Sequence, residues 1–227
     1  DMKSFIKATR LISVFTCMAS CGPSGKLADP AIIGQMKHNI VLFDPVSRIE
    51  VIGKDNLNAK SETASAEAQN LLKEKICTYD TGLGIDALHV SEDLKEAYAI
   101  QDDIIALADW YINTNGEDLS YIEIPPTIDS IIESSGCRYG MIIYSEGFSR
   151  TGGNYALEIA KTVGIGILTG YVTVPFKNSS SIYLMILDSK TDRIAYNRCT
   201  FGEYNPLSGK HVEKQFKRLF KDFRTEL

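Results

Sequence analysis

Histidine and tryptophan are scarce here: three His and one Trp in 227 residues. His38, His89 and His211 fall on different stretches, and none has a second His or a Cys at i+3 or i+4. That excludes the common histidine-based metal motifs, which need such spacing. Excess positive charge is also missing, the net charge being −5. A mildly acidic chain without a basic, aromatic-interleaved surface has no general attraction to nucleic acid. Cysteines are few, and no two of Cys21, Cys77, Cys137 and Cys199 have metal-finger spacing. No nucleophile elbow surrounds Ser145, because Gly is missing from its upstream flank. Residues 164–170 (Gly-Ile-Gly-Ile-Leu-Thr-Gly) miss the dinucleotide-loop spacing by one, and a helical pattern precedes them where a strand is required. No run is long and apolar enough to span a bilayer, which needs about 20 residues.

What is present is concentrated first at the beginning. Lys3, Lys7 and Arg10 precede an apolar run over residues 11–19, broken only by Ser13 and Thr16. Met18-Ala19-Ser20-Cys21 follows, with Gly22-Pro23-Ser24-Gly25 behind it. A basic start, a short apolar core and small residues describe a secretory signal. The stretch resembles the lipobox of bacterial lipoproteins, with Met18 where Leu is more usual. That resemblance implies cleavage before Cys21 and a lipid, such as palmitate, on the new amino terminus. The rival reading is an ordinary signal peptide cut near a cysteine by chance. Residues 1–20 are therefore expected as signal peptide, 21–38 as a lipid-anchored tether, and 39–227 as one domain. Loss of residues 1–20 would take the net charge from −5 to −7. Gly22 stands where an aspartate would resemble an inner-membrane retention signal, so the expected address is the outer membrane, facing the periplasm.

Three cysteines then remain, Cys77, Cys137 and Cys199. An odd number allows one internal bridge at most. Cys137–Cys199 is the candidate pair, because both fall at ends of expected neighbouring strands. The plainer reading is three apolar cysteines packed inside.

Helical and strand periodicities interleave through the rest. Residues 39–43 and 48–52 read as a strand with a bulge or two strands around Asp44-Pro45. Apolar spacing predicts helices over 63–78 (capped by Ser61 or Ser65), after Ser91, between Pro125-Pro126 and Gly136, and over 209–224. Residues 139–144 and 182–187 are unbroken apolar runs, as in strands covered on both faces. Residues 171–176 alternate like a strand, and 193–201 read as the return arm of a hairpin whose turn holds Asp192. The fold class is α/β, a single domain with a mixed sheet of about five strands and helices packed on it.

Residues 145–154 are polar and glycine-rich and read as a loop leaving a buried strand, a usual place for binding residues. Glu146, Arg150 and Asn154 are its candidate binding residues; a plain turn is the alternative. No catalytic set, metal site or cofactor motif is recognised.

Residues 125–147 (helix into buried strand), 179–197 (strand–turn–strand) and the closing amphipathic helix together resemble the α/β domain shared by the amino-terminal part of the Tol-system translocation protein and the curli-secretion lipoprotein family. The resemblance covers roughly residues 122–223. It departs at Asp192, where relatives often have Gly, and in the apolar run over 155–170. It implies a non-enzymatic envelope protein that acts through protein contacts, held to the membrane by lipid on Cys21, with an envelope protein as partner and a homo-oligomer open. An envelope hydrolase or sugar-binding protein using the 145–154 loop is the first alternative. A secretion-channel subunit, with residues 155–174 entering the membrane, is the second; Glu158 and Lys161 weigh against it, since charge in lipid is costly.

Overall fold

The computed structural model describes residues 34, 36, 38–54, 56–114, 122–172 and 174–224. In chain order its elements are β1 (Ile40–Phe43), β2 (Val46–Ile52), β3 (Asn58–Lys60), α1 (Glu62–Thr78), β4 (Ile85–His89), α2 (Leu94–Asn113), α3 (Pro126–Ser134), β5 (Tyr139–Arg150), α4 (Gly152–Thr169), β6 (Asn178–Asp188), β7 (Arg193–Gly202) and α5 (Gly209–Leu219), then a 3₁₀ turn at Lys221–Phe223. The leader, the tether apart from residues 34, 36 and 38, and Cys21 lie outside the described residues.

β5 is the spine of a seven-stranded mixed sheet. One of its sides pairs antiparallel with β6, from Tyr139↔Asp188 to Ser149↔Asn178, and β7 returns antiparallel to β6. The other side pairs in parallel with β1 at Ile40↔Tyr139 and then with β2 from Val46↔Tyr144 to Ile52↔Arg150. Asp44 and Pro45 together face the single residue Ile143, so β1 and β2 form one line interrupted by an extra residue. The strand-with-a-bulge alternative holds. Pro45 has no N–H for the ladder, which places the break there. β4 adds in parallel to β1, and β3 adds antiparallel to β2. The expected count of about five strands becomes seven: β3 and β4 lie in stretches not read as strands, β1 and β2 part at the extra residue, and residues 171–176 do not join the sheet.

Period-two alternation divides the apolar residues between two layers. Val41, Phe43, Ile142, Tyr144, Tyr183 and Met185 face α2 and α3. Ile40, Leu42, Met141, Ile143, Leu184 and Ile186 face α1 and α5. β5 and β6 are thus covered on both sides through their middles, which explains their unbroken apolar sequence.

Local chemistry sets the helix ends. The Ser61 hydroxyl accepts from the Ala64 N–H at 3.2 Å, while Ser65 is taken by the Ile49 N–H at 3.0 Å. Asp93 caps α2, accepting from the Lys95 N–H at 3.0 Å. Ser91 instead donates to Asp93 O and Glu96. Pro126 opens α3, and Gly136, at φ +70°, lies just beyond its end, the usual proline-in, glycine-out asymmetry. Asp192 adopts the left-handed backbone at φ 52°, and its carboxylate accepts from the Ile124 N–H at 3.0 Å.

Three expectations are corrected. Residues 145–154 are no loop: β5 runs on to Arg150, because β2 and β6 both keep pairing with it there, and α4 begins at Gly152. The alternation at 171–176 finds no partner strand, so the described part of that segment is extended chain outside the sheet. The last helix ends at Leu219 and passes into the 3₁₀ turn.

Candidate functional site

The α2/α3 layer does not cover the far end of its face. Beyond Tyr144, the register sets Arg48 of β2 beside Glu146 of β5, and Ser181 of β6 beside Glu146 in turn. Arg48 Nη2 donates to Glu146 Oε2 at 3.3 Å and to Asp109 Oδ1 of α2 at 3.4 Å. The Tyr183 hydroxyl donates to Glu146 Oε1 at 3.1 Å. Next to this cluster is an open cavity of about 250 Å³, lined by Arg48, Glu50, Glu146, Phe148, Ser181 and Phe201 among others.

Burial pushes the Tyr183 and Tyr144 hydroxyls well above their ordinary range, and the Glu146 charge adds to the effect. Both stay protonated at neutral pH, so they serve as neutral groups and not as phenolate bases. Burial disfavours the Arg48 cation, but its pairing with the Asp109 and Glu146 carboxylates opposes this and keeps it charged. The cluster is a paired guanidinium and carboxylate on a shallow surface. Ser181 and two phenylalanines, Phe148 and Phe201, stand beside it.

Arg150 and Asn154 belong to a different assembly. Arg150 Nη1 donates to Asn154 Oδ1 at 2.8 Å and to Asn56 Oδ1 at 3.0 Å, and its Nε donates to Phe176 O at 3.0 Å. Asn154, fully buried, donates from Nδ2 to Gly53 O at 2.7 Å. The pair pins the β2–β3 connection and the chain leading into β6 to the start of α4. Of the three candidate binding residues, Glu146 lines the cavity, while Arg150 and Asn154 hold the backbone. Arg48 and Tyr183, the partners of Glu146, carry no motif; only the strand register brings them together.

Among the described residues, no group of three His, Cys, Asp or Glu is placed to hold a metal ion. No disulfide joins Cys137 to Cys199. Cys137 lies just before Tyr139, which faces Asp188, whereas Cys199 faces Tyr183. Five residues of β6 separate those levels, ~17 Å at strand rise, beyond the roughly 7 Å that a bridge tolerates between Cα atoms.

A second surface is larger. Of the eighteen residues of α4, only Asn154 and Gly166 are buried. Exposure climbs along the helix from 45% at Leu157 and Val163 to 59% at Ile165, 79% at Ile167 and 86% at Leu168. Gly170, at φ +72°, ends the helix, and the chain turns back along it. Gly166 permits that return: a Cβ there would sit 2.2 Å from Val172 Cγ2. Tyr171, Val172, Val174 and Phe176 are also exposed. α4 and this returning segment form an apolar finger, ~27 Å long by helix rise. No described helix is long and apolar enough to cross a membrane.

No family model and no curated protein matches the sequence. Among solved structures, the chain is similar to a PelC dodecamer from Paraburkholderia phytofirmans at 5% identity and a TM-score of 0.42, covering 91% of this chain and 99% of that one. It is also similar to the LpoB C-terminal domain from Salmonella enterica at 12% identity and a TM-score of 0.31, covering 77% of this chain and 95% of that one. Both are distant likenesses.

Proposed function

We propose that this protein is a lipid-anchored component of a bacterial cell envelope, held to the outer membrane through Cys21 and acting by binding other proteins. The basic start, the short apolar run and the small-residue approach to Cys21 support the anchor. The binding half of the reading is carried by the finger, where nine large apolar side chains are exposed between Leu157 and Phe176. Patches of that size on a soluble chain mark interaction surfaces. The hydrolase alternative draws no such support, because Arg150 and Asn154 are engaged with Asn56, Gly53 and Phe176 and not with a shared cavity.

Metabolic labelling with a fatty acid tests the anchor. The full chain is expected to take up label and to fractionate with membranes. Cys21→Ala is expected to abolish the label and release the protein. A Cys21→Ala chain labelled as strongly as the wild type would overturn the reading.

A further inference from the structure

We infer that the finger docks on a second copy of this chain, at the edge formed by the end of β4 and the first turns of α2. The inference rests on the protein-contact half of the reading above and is independent of the lipid. Three observations carry it.

The first is area. Nine side chains at these exposures present on the order of 1,000 Å². The largest apolar patch of a typical monomer is roughly 300–600 Å², and a standard interface buries about 800 Å² per partner. The finger is large enough to sustain a stable contact.

The second is complementarity. Val90, Leu94 and Tyr98 are exposed at 51%, 75% and 65%. Leu94 and Tyr98 are four apart on α2, so they share one face of the helix. Residues 92–96 surround them with three carboxylates (Glu92, Asp93 and Glu96) against one cation, Lys95. The finger has a different balance: over residues 155–177, Lys161 is paired with Glu158 at 2.8 Å, Lys177 at the base is the cation outside that pair, and the fifteen residues 162–176 carry no charge. An apolar tip with a basic base thus matches an apolar patch with an acidic rim.

The third is geometry. Leu88, near the end of β4, is level with Leu42 and hence with Met141 of β5. The finger leaves the sheet after Arg150, nine residues further along β5, ~30 Å at strand rise. The base of the finger thus lies well along the sheet from the patch of the same chain. Among the described residues β4 pairs with β1 and is an edge strand of the sheet. Each copy then carries one finger and one patch, a head-to-tail contact that generates a ring or an open chain.

The test places a photo-crosslinking residue at Leu168 of the full chain in intact cells that express two differently tagged copies. Crosslinks to peptides spanning residues 90–98 of the other copy are expected. Crosslinks to acyl chains, to a different protein alone, or to nothing would overturn the inference. A pairing experiment complements it, using exposed positions that leave folding intact. Ile167→Glu with Leu168→Glu, or Leu94→Glu with Tyr98→Glu, should each reduce self-association at least tenfold. The two variants mixed should recover a 1:1 complex, since one retains a sound patch and the other a sound finger. Self-association unchanged by both variants, or no recovery on mixing, also overturns it. Fatty-acid label with no crosslink sinks only this inference; crosslink with no label sinks only the anchor.

Discussion

Asp188 ends β6, and its carboxylate ties two elements together. Arg138 donates to it twice, Nε to Oδ1 at 2.8 Å and Nη2 to Oδ2 at 2.7 Å, and the Lys190 N–H donates at 3.1 Å. Burial by itself would raise this carboxyl. The Arg138 bonds and charge, with help from Lys190 and Thr191, more than reverse that and hold it below the usual carboxylate range. The sign of the pH effect follows. A carboxyl whose folded-state value is lowered contributes stability in full above its unfolded value of about 3.9, and the contribution fades as pH falls through the folded value. Asp188→Asn removes the charge and one acceptor but keeps the shape. It is expected to cost about 1–3 kcal/mol at pH 7. Urea unfolding from pH 7 downwards should show the gap to wild type closing as the native carboxyl protonates. A gap that persists unchanged at the acid end would mean that packing, and not the ion pair, accounts for the loss.

At the scale of elements, α5 is fixed to the sheet by more than its apolar stripe. Gln215 is fully buried and donates from Nε2 to Ser180 O of β6 and Thr200 Oγ1 of β7, each at 3.2 Å. The Ser180 hydroxyl donates back to Gln215 Oε1 at 3.3 Å. Gln215→Leu roughly keeps the volume and leaves those buried groups without their partner. A loss of about 1–3 kcal/mol is expected, measured as a lower urea midpoint at unchanged slope. The sequence shows α5 as an amphipathic helix but gives no sign of this polar tie, because Ser180 and Thr200 lie in other elements. The same limit explains the rest of what could and could not be read. The apolar runs at 139–144 and 182–187 are visible as buried strands because a doubly covered strand leaves an unbroken apolar record. Residues 145–150 leave no such record. Their pairing to β2 and β6 is a backbone matter, and one face there stays open, so Ser145, Glu146 and Gly147 read as loop. Residues 171–176 have real strand alternation, but pairing needs a partner, and none of the described strands pairs with them. Glu146 could be picked out as a polar residue at the end of an apolar strand. Arg48, 98 positions earlier, could not, because only the parallel register makes them neighbours.

For the molecule as a whole, the body and the finger obey different rules. The body has two apolar layers, one on each side of the sheet, and side chains there are locked by their neighbours. Phe216 is fully buried, with Tyr79 edge-on at 5.8 Å and Phe220 at 5.6 Å between ring centres. Phe216→Ala removes most of a ring from a site that cannot collapse around the gap, and about 3–5 kcal/mol of stability should go with it. The finger buries almost nothing within one chain, so its apolar residues contribute little to the folding of that chain. Ile167→Glu with Leu168→Glu is expected to change the unfolding free energy by no more than about 0.5 kcal/mol, the usual range for surface substitutions, when measured on dilute protein. At concentrations where chains associate, the wild type should gain apparent stability and the variant should not, because only a species that binds the folded state shifts the equilibrium. A dilute-solution loss comparable to that of Phe216→Ala would instead make the finger part of the folding core. Its exposed side chains would then be packed within the chain in solution, leaving no free surface for a partner.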